Sequence, residues 1–148
     1  MEVIENEPMQ VSLPLPRSID TKVFLHLTVR AKAITLFLTT ANQDDPSTPA
    51  PLGSFVYALP DRFNPAQPIS TTLFANEATV EFTTRIAKLL ARKSNMPVYV
   101  GNSCSFANCP EGGTVEEEMD VFQRVAAVVS ERLTNVVRPA GPATNTVL

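Results

Sequence analysis

The chain has 148 residues, 44% of them hydrophobic and 18% charged, with a net charge of −3 at pH 7. That length suits one domain whose core needs no disulfide or metal to hold it. The acidic balance excludes a general nucleic-acid binder, which needs surplus Lys and Arg against phosphate, and the lack of any run approaching about 18 apolar residues excludes a membrane-spanning helix.

Residues 1–9, "MEVIENEPM", carry Glu2, Glu5 and Glu7 and little to bury, so they are expected to form a flexible acidic tail. They lack the basic-then-apolar pattern of a secretory leader. With only two cysteines besides, the chain is expected in a reducing compartment, the cytoplasm or also the nucleus.

A single domain is expected over 10–133. "QVSLPLP" (10–16) predicts a short edge strand, because Pro14 and Pro16 cannot donate to a central ladder. "KVFLHLTVR" (22–30) and "AITLFLTTA" (33–41) alternate strictly, and only Ala31 and Lys32 separate them, which predicts a tight antiparallel hairpin. "NQDDPSTPAP" (42–51) reads as a polar loop and "LGSFVYAL" (52–59) as a third strand. "PDRFNPAQP" (60–68) is a proline-fixed turn before the strand "ISTTLF" (69–74).

The period then changes to 3.6. Asn76 suits an N-cap, and Phe82, Ile86, Leu89 and Leu90 make an apolar helical stripe. Glu81, Arg85, Lys88 and Arg92 fall on the other side, Asn95 suits a left-handed C-cap and Pro97 stops the helix. "PVYVGNS" (97–103) is the last strand and "SFANCPEGG" (105–113) a loop. Thr114 and Glu117 make a capping box for a second helix, with Val115, Met119, Phe122, Ala126, Val129 and Leu133 at helical spacing. Residues 134–148 read as a Pro/Gly/Thr tail. Strands segregated from helices predict an α+β fold: an antiparallel sheet of about six strands with two helices on one face.

The helices would cover the aliphatic positions Val23, Leu25, Leu27, Val29, Ile34, Leu36 and Leu38. Phe24, His26, Thr28, Thr35, Phe37 and Thr39 would then share the other face. Charge is nearly absent there, which makes it either a Thr-rich wet face or a partner-binding surface, as uncharged aromatics mark interface cores. Catalytic and metal chemistry has little to build on. His26 is the single histidine and sits mid-strand, so a structural or interface role is expected of it. Cys104 and Cys109 form C-x4-C, but two Cys and one His cannot close a four-ligand zinc site of such residues. No Walker spacing surrounds Gly112 and Gly113, and no other cofactor motif is present. The carboxylates of "VEEEMD" suit a helix N-terminus.

"PISTTLF", "TRIAKLLARKSNMPVYVGNS" and the amphipathic C-terminal helix together resemble the proteasome assembly chaperone 4 family. "LFLTTA" and "YALPDRFN" resemble an earlier strand and an Arg-aromatic loop of that family, and the likeness covers roughly residues 10–133. The tails and the 42–51 loop look like additions of a fungal member. The resemblance implies a non-enzymatic chaperone with no cofactor. It would pair with proteasome assembly chaperone 3 through the sheets, bind 20S proteasome α subunits, help order the α ring and leave before maturation. The partner interface is then expected at Phe24, His26, Thr28, Thr35, Phe37 and Thr39. An α-subunit contact is expected at Arg62, Phe63, Arg85, Lys88 and Arg92, unless those cations meet only water. The ending "NTVL" lacks the hydrophobic-Tyr-any pattern of some proteasome-docking tails. A small α+β adaptor dimerising through its sheet in another complex is the alternative reading.

Overall fold

Strict alternation turns the first half of the chain into paired strands. The computed structural model describes residues 2–3, 8–15, 18–42, 52–105 and 115–138. In chain order these form β1 (Glu2–Val3), β2 (Met9–Leu15), β3 (Ser18–Val29), β4 (Ile34–Asn42), β5 (Ser54–Leu59) and β6 (Ile69–Phe74). Helix α1 (Val80–Ser94), β7 (Val98–Asn102), helix α2 (Val115–Val136) and β8 (Val137–Arg138) follow. Six strands make one sheet in the order β2-β3-β4-β7-β5-β6. Both helices pack on one side of it, so the class is α+β as expected. β2, which holds Pro14, lies at an edge of the sheet as expected.

The sheet departs from the expected antiparallel arrangement at one pair. β7 is antiparallel to β5 but parallel to β4. The chain leaves β6, crosses through α1 and returns beyond β5, which slots β7 between β4 and β5. Val98 and Val100, fully buried, are suited to that central position.

The aliphatic face forms as the alternation requires: Val23, Leu25, Leu27, Val29, Ile34, Leu36 and Leu38 are all buried in the core. Val56 and Ala58 of β5 extend it, and Ile86, Leu90, Val121, Val125, Val129 and Leu133 close it from the helices. α1 turns Ile86 and Leu90 of the expected stripe inward, but small residues rather than Phe82 and Leu89 complete its buried face. Thr83, Ile86, Ala87, Leu90, Ala91 and Ser94 are buried. Small side chains let the helix approach the sheet closely. The hydroxyls of Thr83 and Ser94 donate to Thr79 O and Leu90 O at 2.7 and 2.6 Å, so neither is left unsatisfied. Phe82 flanks this stripe and meets Phe122 of α2 edge-on, with ring centroids 5.6 Å apart.

Asn76 is not the N-cap. Its side chain accepts Ala78 N–H at 3.1 Å and its carbonyl accepts Thr79 and Val80 N–H, so it closes a turn before the helix, and Thr79 is the cap residue. Asn95 does adopt the left-handed cap, at φ 55°. In α2 the first turns lie beside α1 rather than over the sheet, which leaves Val115 75% and Met119 43% exposed instead of buried. The expected tails also carry backbone pairing: Glu2–Val3 pairs with Val137–Arg138, and α2 runs three residues past 133. The 42–51 loop beyond Asn42, the 105–113 loop beyond Ser105, Thr114 of the expected capping box and Cys109 lie outside the described residues.

Candidate functional site

The side of the sheet that no helix covers is built by the same alternation. Register places His26 opposite Phe37, Phe24 opposite Thr39 and Thr28 opposite Thr35. All six expected interface residues therefore share this face, partly or largely exposed. Lys22, two residues before Phe24, is the nearest charge along β3.

Three aromatics that sequence reasoning did not include complete the surface. Phe55 stacks on Phe37 (centroids 6.2 Å, planes 8° apart) and on Tyr99 (6.0 Å), and Tyr99 meets Tyr57 at 4.6 Å. The row exists because Gly101 of β7 is the cross-strand neighbour of both Phe37 and Phe55. A Cβ there would stand 2.7 and 2.9 Å from Cδ1 and Cε1 of Phe37. The missing side chain lets the two rings meet across the central strand. The signal was available: once Val56, Ala58, Val98 and Val100 are assigned to the core, Phe55, Tyr57 and Tyr99 must point the other way.

Beside the row lies an open groove of about 630 Å³, lined by Gln10, Phe24, His26, Phe37, Leu52 and Gly101 among others. His26 Nδ1 stands 3.4 Å from Gln10 Nε2 across β2 and β3, a long amide-to-imidazole contact with no nucleophile in it. Ser103 Oγ donates to Thr39 Oγ1 at 2.9 Å at the margin. Among the described residues the groove has apolar walls, a few neutral polar groups and no charged lining residue. That is the chemistry of a docking surface rather than of proton or phosphoryl transfer.

The residues expected to touch an α subunit fall in two places. Arg62 and Phe63 sit on the β5–β6 turn, and Phe63 is 96% exposed. Arg85, Lys88 and Arg92 face outward on α1, where Arg85 already holds Glu81 at 2.6 Å.

Cys104 is buried, and burial pushes its thiol from 9.0 up to about 12. It is therefore a core atom and not a thiolate nucleophile. The sign of the pH effect follows. Above pH 9.0 the unfolded chain loses this proton first, so stability falls until the folded thiol also ionises at about 12. The loss from this group is about 1.4 kcal/mol per pH unit within that window. Urea midpoints should drop faster from pH 9 to 10 for the wild type than for Cys104→Ala, and parallel curves would refute the assignment.

The model of the family "Proteasome assembly chaperone 4" matches residues 22–104. A chain in the crystal structure of a novel chaperone complex for yeast 20S proteasome assembly is similar in fold, with a TM-score of 0.61 at 15% identity. The match covers 86% of this chain and 97% of that one. No curated protein sequence matches.

Proposed function

Since the chain belongs to the proteasome assembly chaperone 4 family, we propose that it works as one half of a heterodimer with a proteasome assembly chaperone 3 partner and scaffolds α-ring formation of the 20S proteasome. The observation that carries this reading is the uncharged aromatic face, Phe24 to Tyr99, which no helix covers, on a sheet whose other face carries the helices over β3, β4, β7 and β5. Water is a poor neighbour for such a surface, and a partner sheet is a good one. The pair then holds α subunits near each other, which raises their effective concentration for ring closure without any covalent step. It leaves before maturation, and it acts in the cytoplasm or also in the nucleus.

The test is a tagged chain recovered from cell extract under gentle salt. A second chaperone and α subunits, without mature β subunits, are the expected company. Recovery of a different complex in their place would favour the adaptor reading. A non-enzymatic role also predicts that Cys104→Ala with Cys109→Ser keeps α-subunit capture within about threefold, because Cys104 contributes only packing. Loss of capture by a folded, pairing double variant would reopen thiol chemistry.

A further inference from the structure

Three loops distant in sequence meet along one end of the sheet. The β3–β4 turn closes through Arg30 N–H to Ala33 O at 2.9 Å, and Ile34 N–H donates to Pro97 O at 2.9 Å, so this turn adjoins the α1–β7 connection. The pairs Ala58↔Val98 and Leu59↔Ile69 bring the β5–β6 turn to the same end. The strand order sets the three side by side across about 20 Å, at ~4.8 Å per strand. Together with the last turn of α1 they present Arg30, Lys32, Arg62, Arg92 and Lys93 against one carboxylate, Asp61. On α2, Glu131 and Arg132 next to Ser130 cancel each other.

None of Arg30, Lys32, Arg62 and Arg92 is ion-paired among the described residues, and Lys93 reaches only Ser130 Oγ at 3.2 Å. The whole chain stands at −3, so this rim is a positive pole on an acidic molecule. Phe63 projects from it at 96% exposure. Its turn is ordered: Phe63 N–H donates to Asp61 Oδ1 at 2.9 Å, and Gln67 N–H to Asn64 O at 3.0 Å. Leaving a phenyl ring in water forgoes about 1.5–3 kcal/mol of burial. An aromatic carried by a hydrogen-bonded turn among unpaired cations is anchor chemistry for an interface.

We propose that this rim docks an acidic protein surface that offers an apolar cup to Phe63. The identity of that surface as an acidic patch on a proteasome α subunit rests on the chaperone reading above. The rim occupies strand ends, so it leaves the aromatic face free for the partner chaperone, and both can be engaged at once. A nucleic acid fits less well: the acidic remainder repels polyphosphate, and one phenyl ring is no stacking platform. Arg85 and Lys88 lie outside the rim. Arg85 is seven residues before Arg92, about 10 Å along the helix, and is paired with Glu81.

The test uses the full-length heterodimer and purified α subunits, with association followed at low and high salt. Arg30→Glu with Lys32→Glu and Arg62→Glu should slow capture about tenfold at low salt and by less at high salt, where charge is screened within a few ångströms. Phe63→Ala should speed dissociation about tenfold. Arg85→Glu with Lys88→Glu should stay within about twofold of wild type. Pairing with the partner chaperone reports folding of each variant, and an Arg30→Gln, Lys32→Gln, Arg62→Gln set is read in parallel. Wild-type rates in the rim variants, or loss confined to the Arg85/Lys88 variant, overturn the rim and leave the chaperone reading standing. A wild-type heterodimer that captures no α subunit overturns both. A single-stranded oligonucleotide bound by wild type and lost in the rim variant reassigns the surface to nucleic acid.

Discussion

Phe37→Asp should abolish pairing with the partner chaperone while the chain itself stays folded. Phe37 stands in the middle of the open face, stacked on Phe55 and lying over Gly101. Removing an aromatic anchor from an interface centre costs at least about 2 kcal/mol. The carboxylate that replaces it would have to be buried without a cation, at roughly 3–5 kcal/mol more. Together these weaken the complex by about a thousandfold or beyond. The core behind Phe37 is untouched, because Leu36 and Leu38 point to the helices. Phe37 is 40% exposed in the isolated chain, so its own loss of packing is modest. Size-exclusion of the mixed subunits, with a thermal melt of the variant alone, separates the two effects. Normal pairing, or an unfolded variant, would remove the open face from the interface.

The second large effect is on stability and lies at Gly53. Its φ of +71° is a conformation that L side chains rarely adopt, and a Cβ there would stand 2.1 Å from Asn102 O and 2.7 Å from Ser103 Cα. Those are backbone atoms at the exit of β7, where Asn102 is the register partner of Ser54, so nothing flexible can give way. Ser54 in turn accepts Asn76 N–H at 2.9 Å and meets Thr79 Oγ1 at 2.7 Å, which ties β5 to the entry of α1. Gly53→Ala therefore strains the strand and the helix start together. A loss of about 3 kcal/mol, or roughly 10 °C in melting temperature, is expected. Gly101→Ala makes the contrast, because its clash is with the Phe37 ring, a side chain at an open surface. It should cost less stability and more pairing. A Gly53→Ala chain that melts within about 2 °C of wild type would show that β7 can shift to accept it.

Much of this architecture is legible in one dimension. Period-2 alternation settled which residues of β3 and β4 enter the core, because a pleated strand gives each side chain only two directions. The same alternation put Phe24, His26 and Phe37 on the opposite face before any neighbour was known. Asn95 and Pro97 ended α1 for local steric reasons, which act within a few residues. What involved distant partners needed the folded chain. β7 lies parallel to β4 because a helical crossover carried it past β5, and no residue of β7 records that destination. The inward stripe of α1 joins Thr83, Ala87 and Ser94 to the expected Ile86 and Leu90, because close approach to the sheet rewards small side chains that hydropathy alone passes over. The aromatic row depends on a glycine two strands from Phe24, and the basic rim on loops that stand some thirty residues apart. Local chemistry determines direction and termination along the chain. Only tertiary packing decides which side chains become neighbours, since burial is a property of the assembled surface.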